Sequence, residues 1–282
     1  MKIGIIGNGF VGKAFSSIKC QDINILIYDL NPELCNPKNI TIDQLNVCEI
    51  IFISVPTPMN NDGSCYTKII QDVLVELKTN NFKNHIVLRS TIPPGLSDKL
   101  DCFFMPEFLT EKNYKIDFYN NKDWIFGLKE NNKLNNDNFI KSIQKLFYLA
   151  YTNNKIKNNN LHFVSNKEAE TIKLFRNCFL ATKISFCNEF YQYCIANDIN
   201  YDNMIKLAAN DNRIGHSHTN VPGHDGNKGF GGTCFPKDIS SMQYEMNKCN
   251  VPSYIIDSVI NRNTHIDRKN KDWENNKGRS VL

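Results

Sequence analysis

Short apolar runs rich in Ile, Val, Leu and Phe occupy residues 2–6, 24–28, 50–55, 85–90, 101–105 and 124–128, and each predicts a β-strand. Between them, helical patterning over 10–19, 67–79 and 134–148 predicts helices. Strands that alternate with helices predict a parallel sheet, because parallel neighbours need a crossover of about a dozen residues or more, and right-handed crossovers place helices on both faces. The first half is therefore expected to be a doubly wound α/β sheet. Residues 153–160 are polar, Asn-rich and aperiodic, and are expected to form an exposed connector that closes a first domain spanning 1–160.

From Ser165 the pattern changes. Residues 166–196 contain no Gly or Pro and carry Ala169, Ile172, Leu174, Phe175, Phe179, Ile184, Phe186 and Phe190, which predicts one long helix, apolar on more than one side. Such a helix must be covered by other helices or by a second copy of the chain, since apolar surface left in water costs ~25 cal/mol per Å². Further helices are expected over 201–209, 238–248 and 252–270, with a Gly-, His- and Asn-rich loop at 210–233. Residues 161–282 then form a mainly helical second domain.

With 282 residues, 41% hydrophobic and 22% charged, the chain is long enough for a sizeable core and about two domains. A net charge of +4, scattered along the sequence, does not point to nucleic acid as the partner. No apolar run reaches about 18 residues and no basic-then-apolar leader precedes the first strand, so neither membrane insertion nor secretion is expected, and the expected compartment is the cytoplasm. Ten cysteines occur without a C-x-x-C spacing, most of them inside apolar runs, as reduced core thiols would be. The spacing of His216, His218, His224 and Asp225 matches no zinc pattern, so no metal is expected. Between 262 and 279 the chain ends net basic, which fits a solvated helix end or a set of phosphate contacts.

Residues 3–12 read IGIIGNGFVG, which sets Gly7, Gly9 and Gly12 as a G-x-G-x-x-G turn between a strand and a helix, with Asp29 ending the next strand. A tight turn needs Gly7, close approach of a pyrophosphate needs the bare backbone of Gly9, and packing of helix on strand needs Gly12. Asp29 in this place accepts hydrogen bonds from ribose hydroxyls and repels a 2′-phosphate, so NAD is the expected cofactor. Two Pro-rich turns, VPTP (55–58) and STIPPG (90–95), follow the third and fourth strands. Thr57 and Thr91 either present hydroxyls to a ligand crevice or act as local caps.

In GFGGTCFPKD (229–238), three glycines precede Cys234, and Lys237 and Asp238 follow it. A thiol beside a cation and a carboxylate suits a nucleophile; the same residues also suit a small thiol packed at a helix start with Asp238 as its cap. On the long helix Lys173 and Asn177 lie four residues apart and share a face, so an ammonium and an amide can address one ligand oxygen. The alternatives there are a solvated lysine and an internally bonded asparagine.

These blocks, with MPEFLTE (105–111), EAETIKLFRNCFLATKISFCNE (168–189) and DNRIG (211–215), resemble the UDP-glucose 6-dehydrogenase family of nucleotide-sugar dehydrogenases over nearly the whole chain. The resemblance implies a Rossmann-type NAD domain, a helical dimerisation and substrate domain, and a third, UDP-binding domain that this chain does not reach. It implies NAD-dependent oxidation of UDP-glucose to UDP-glucuronate by two hydride transfers through a thiohemiacetal and a thioester on Cys234. By motif, Lys173 and Asn177 stabilise the oxyanion, and Asp238, Thr91 and Glu107 position or deprotonate water, with Glu111 assisting. The cofactor positions are Gly7, Gly9, Phe10, Val11, Gly12, Asp29, Pro56, Thr57 and Thr91. Substrate positions are Glu107, Phe108, Leu109, Glu111, Lys173, Asn177, Arg213, Gly229, Gly231, Gly232 and Lys237, the glycines through their amides. The partners implied are a UDP-sugar and a second copy docked along helix 166–196. Two other readings fit the residues: a two-domain hydroxyacid dehydrogenase making one hydride transfer, and a non-catalytic nucleotide-binding module.

Overall fold

The computed structural model describes residues 1–282, and the chain divides into two compact units. The first comprises Met1–Thr57 and Thr67–Lys173, the second Pro58–Tyr66 and Leu174–Leu282. In the first, β1 (Lys2–Ile6), α1 (Phe10–Ser16), β2 (Asn24–Tyr28), β3 (Ile50–Ile53), α2 (Lys68–Thr79), β4 (His85–Leu88), α3 (Leu96–Lys99), β5 (Phe103–Phe104), α4 (Tyr114–Tyr119), β6 (Asp123–Leu128), α5 (Lys133–Thr152) and β7 (Asn160–Ser165) build one sheet with helices on its faces. Strand order is β2-β1-β3-β4-β5-β6-β7, parallel except at β5–β6, where Phe104 pairs antiparallel with Gly127.

Strand alternation explains the two cores. Ile3, Ile5, Phe52, Val87, Phe103 and Phe126 point into one cluster with Phe15 of α1 and Phe139 and Phe147 of α5. Their neighbours Ile6, Ile51, Ile53, Leu88 and Phe104 point into the other, with Leu45 and with Ile70 of α2. Because both faces are covered, the inner strands read as unbroken apolar runs, which is what made them visible in the sequence.

The structure departs from expectation at identifiable places. The stretch 153–160, expected as a connector, leads directly into β7, which pairs in parallel with β6 from Asp123↔Asn160 to Leu128↔Ser165. β7 is an edge strand with only Leu161, Phe163 and Val164 reaching the cores, so its polar residues masked it. The first unit consequently runs on to Lys173 instead of ending at 160, and it gives up residues 58–66 to the second unit. β3 stops at Ile53, short of the expected 55, ahead of the Pro-rich turn.

The second unit takes over within α6 (Asn166–Ala196) and adds α7 (Tyr201–Ala208), α8 (Phe235–Lys248) and α9 (Tyr254–Arg262), followed by a π-helical turn over Asn263–Asp267. α8 begins three residues earlier than expected because Pro236 is tolerated in a helix's first turn, where no intrahelical N–H bond is lost. Its core joins Cys178, Ala181, Phe230, Ile239, Ile256 and Val259. The loop 58–66 closes on itself through Asn60 N–H to the Ser64 carbonyl, 2.8 Å, and Tyr66 N–H to the Pro58 carbonyl, 2.8 Å. The C-terminal residues bond to it: Met59 N–H donates to the Ser280 carbonyl and Leu282 N–H to the Met59 carbonyl, at 2.8 and 3.2 Å.

One glycine outside every motif is fixed by packing. A Cβ on Gly127 of β6 would lie 2.5 Å from Oδ1 and 2.8 Å from Cα of Asn166, where α6 starts. Asn166 cannot yield, since its buried amide donates to the Asp98 carboxylate and the Cys102 carbonyl, both at 2.9 Å. Gly127→Ala is expected to destabilise the chain by about 1–3 kcal/mol, read as a lower urea midpoint at unchanged slope.

Candidate active site

The glycine turn divides its three glycines by what surrounds them. Gly7 has φ +89°, and a Cβ there would sit 2.7 Å from the Ser54 carbonyl; a Cβ on Gly12 would strike the Gly7 carbonyl. Those two are required by the fold itself. Gly9, which caps α1, has nothing within 4 Å of its Cβ position, so its bare backbone is open to a ligand. Phe10 and Val11 follow as the first helical residues. The Asp29 carboxylate accepts from the amides of Asn8, 2.6 Å, and Asn31, 2.9 Å, which fixes its orientation at the end of β2 while further lone pairs remain for hydroxyls. The open backbone at Gly9 and the oriented carboxylate fit a dinucleotide.

The two Pro-rich turns are tied together. Thr57, next to Pro56 and buried, donates its hydroxyl to the Thr91 carbonyl at 2.8 Å, and Ser90 donates to the Val55 carbonyl at 2.6 Å. The Thr57 proton is therefore spent on bracing the turns, and only its oxygen lone pairs remain for a ligand. Glu170 of α6 holds the second turn from below by accepting from the amides of Gly95 and, at 2.8 Å, Ser97.

Lys173 and Glu107 form an ion pair at 2.5 Å, with side chains only 4% and 6% exposed. The lysine is thus neither solvated nor unpaired. Burial works against the Glu107 charge, but the Lys173 ammonium, the Leu109 amide and Arg89 outweigh it and hold the carboxyl below its usual range. Leu109 N–H donates to it at 2.9 Å, and the Lys173 ammonium also lies 5.9 Å from the centre of the Phe108 ring. Glu111 is exposed.

One turn further along α6, Asn177 donates to Oδ2 of Asp238 at 2.5 Å, and Lys237 pairs with Oδ1 of the same carboxylate. Asp238 is 1% exposed. It sits in the first turn of α8, whose N-cap is the half-buried Cys234. Thr233 Oγ1 is 3.7 Å from the Cys234 sulfur. Burial disfavours the Lys237 ammonium, but Asp238, Cys234 and Cys65 together push its pKa up. Cys234, Lys237, Asp238 and Asn177 thus form one cluster in the second unit. Cys65 belongs beside it, which the sequence did not signal: nothing charged adjoins it in the chain, and only the fold of loop 58–66 brings it within electrostatic reach of Lys237.

The glycine loop behaves unevenly. The Gly229 amide donates to Asn188 at 3.1 Å, so it is occupied within the protein and is not offered to a substrate as expected. Gly231 is packed against the Arg268 guanidinium and Asp272, each 2.5 Å from its Cβ position. Gly232, φ +72°, faces open space. Arg268, expected in a solvated or phosphate-binding tail, is instead buried and holds Asp272 at 2.8 Å, Asp225 at 2.5 Å and the Lys228 carbonyl at 3.2 Å. It clamps the segment leading to Cys234. Arg213 projects into solvent, its side chain 90% exposed, and pairs with Asp211. No group of three or more His, Cys, Asp or Glu side chains converges as a metal ion would need, and no helix is long and apolar enough to cross a membrane.

Residues 35–148 match the model of the NAD binding domain of the UDP-glucose/GDP-mannose dehydrogenase family, and residues 167–265 match its central domain. Among named relatives, UDP-glucose 6-dehydrogenase of Campylobacter jejuni is 29% identical over 93% of this chain, which spans 72% of that protein. The putative UDP-glucose 6-dehydrogenase YtcA of Bacillus subtilis is 27% identical over 92% of this chain, which spans 66% of its length. In fold, the chain is similar to a UDP-glucose dehydrogenase of Pyrobaculum islandicum, with a TM-score of 0.78 at 20% identity, covering 94% of this chain and 68% of that one. With a Rossmann unit whose glycine turn suits NAD, and with both family models matched in order along the chain, this protein belongs to the UDP-glucose/GDP-mannose dehydrogenase family.

Proposed function

We propose that the chain oxidises the primary alcohol of a nucleotide sugar, UDP-glucose, to the carboxylate of UDP-glucuronate. The observation that carries this is Cys234 at the start of α8, electrostatically coupled to Lys237 beside a buried Asp238 that Asn177 also addresses. A single hydride transfer from an alcohol needs no nucleophile; oxidation of the resulting aldehyde to an acid does, because hydride must leave a tetrahedral carbon, and a thiolate at the site fills that role. NAD, when bound, supplies the chemistry of hydride acceptance, twice per product.

Cys234, as thiolate, forms a C–S bond to the aldehyde carbon, and the carbonyl oxygen becomes an anion. Lys173, by charge, and Asn177, by its amide N–H, stabilise that oxygen. Loss of hydride leaves a thioester on Cys234. Water then adds, the C–S bond breaks, the sulfur departs as thiolate and the carboxylate is released. Over the full sequence one alcohol and one water yield one carboxylate, two hydrides and three protons. Asp238 keeps Asn177 and Lys237 in place and, with Thr91 and Glu107, positions the water; Glu111 assists. Glu107 stays ionised because Lys173 is its partner. Gly231 and Gly232, Phe108, Leu109 and Arg213 complete the proposed substrate contacts.

We place the working form in the cytoplasm as a homodimer joined along α6. Phe175, Phe179, Phe186 and Phe190 are 66%, 58%, 61% and 44% exposed, and they pair along the helix, Phe175 stacked on Phe179 and Phe186 tilted against Phe190. A stripe of this kind fits a self-complementary contact with a second copy.

Incubation with a panel of UDP- and GDP-sugars is expected to yield two NADH per UDP-glucose consumed; one NADH per turnover with a dispensable Cys234 would mark single-hydride chemistry instead. Cys234→Ser is expected to release no UDP-glucuronate, and Asn177→Ala to lower kcat by about 10²–10³-fold, both followed by NADH absorbance and product chromatography. In sedimentation at micromolar concentration the chain is expected at twice its own mass, and a Phe179→Glu/Phe186→Glu variant at the monomer mass.

A further inference from the structure

Arg89, the residue after β4, was singled out by no motif. It is 3% exposed. A guanidinium carries five N–H donors and loses strong hydration when buried, so a fold keeps one inside only where those donors are used or its charge is. Here they are barely used. The sole hydrogen bond runs from NH1 to the Val11 carbonyl at 3.5 Å, at the limit of a useful contact, and Nε faces no acceptor. The ring of Phe15 lies 4.8 Å from the guanidinium carbon.

Charge accounting in the same unit sharpens the point. The carboxylate that Arg89 senses is Glu107, and both oxygens of Glu107 are engaged elsewhere, Oε1 by Lys173 and Oε2 by the Leu109 amide. Burial lowers the Arg89 pKa to about 10, which still leaves it charged at neutral pH. Neither oxygen of Glu107 is therefore bonded to Arg89, whose guanidinium lies against Val11, inside the G-x-G-x-x-G motif, with no direct anionic partner. Packing does not explain it, because a methionine would fill the volume without the desolvation cost. Bracing of Val11 does not explain it either, since a 3.5 Å bond contributes little. What remains is the charge itself, acting through a low-dielectric interior where its field is weakly screened.

We propose that Arg89 is an electrostatic positioning residue for the cofactor, its buried and unneutralised charge holding the anionic diphosphate of the dinucleotide at the glycine turn. This rests on the NAD reading of that turn and assigns the diphosphate a counter-charge outside the motif. It also gives a reason for a buried arginine next to a loop otherwise built to expose backbone.

The test is equilibrium binding to the full chain, with NADH followed by nicotinamide fluorescence and ADP-ribose and adenosine by calorimetry. Arg89→Met is expected to bind NADH and ADP-ribose about tenfold more weakly and adenosine, which has no phosphate, as the unaltered chain does. Arg89→Gln, which keeps a donor for the Val11 carbonyl without charge, is expected to show the same loss, and Arg89→Lys to restore affinity to within about threefold. Unchanged ADP-ribose affinity in a folded Arg89→Met variant overturns the proposal, as does an equal loss for adenosine, which would mark a merely structural role. Should Arg89→Met not fold, the contrast between Arg89→Lys and Arg89→Gln decides, and equal ADP-ribose affinities overturn it. Failure of the unaltered chain to bind NADH or ADP-ribose would remove the dinucleotide reading and this proposal with it.

Discussion

The ammonium of Lys173 exists inside the first unit only because Glu107 meets it, and much of the candidate chemistry depends on that pairing. A buried ion pair of this kind is a weak source of stability, since desolvating both partners offsets most of their attraction, yet losing either partner leaves an uncompensated charge that is far more costly. The pair ties the segment after β5 to α6 within the first unit. In the second unit Asn177 donates its amide to Asp238, which is engaged on its other oxygen by Lys237. Lys173 and Asn177 are each held by a buried carboxylate, whereas Arg176 between them is exposed.

A second constraint is the distance between backbones, and it sorts the glycines. Gly7, Gly12 and Gly127 are places where a methyl group would meet protein atoms, so their smallness serves the fold. Gly9 and Gly232 have nothing within 4 Å of the Cβ position. Smallness there serves no internal contact, which leaves close approach by a ligand or the positive φ of Gly232 as its reason. A motif match alone cannot make this distinction, because all of these residues are written with the same letter.

Where the sequence was legible, a local rule and the tertiary environment agreed. β1 and β2 fall where expected because, after an exposed Lys2 or Asn24, each runs on in apolar residues that pack into the cores. The glycine turn was legible because its function requires strand, turn and helix to be adjacent in the chain. β7 was not, because an edge strand needs only a few apolar residues and its Asn-rich lead-in carries the composition of a loop. The antiparallel β5–β6 pairing was hidden for another reason: two-residue β5 pairs with β6 at one position, too little to leave a pattern. Arg89, Cys65 and Glu170 escaped because their partners are distant in sequence, and single charged residues or thiols beside an apolar run look alike whether they face solvent or the interior.

The cysteines show how environment, not residue type, sets the character of a thiol. Burial pushes the thiols of Cys48, Cys102 and Cys178 up to about 11, 12 and 12, so they stay protonated and inert at neutral pH and behave as small apolar side chains. For Cys178 the nearby Asp238 carboxylate adds to that effect, although the thiol lies only 4.0 Å from the Asp238 carbonyl. Cys234 is half-buried at the start of α8, four residues before Asp238, and interacts electrostatically with Lys237. Lys237 both pairs with Asp238 and interacts with Cys234, so a cation acts on Cys234 where the carboxylate of Asp238 acts on Cys178.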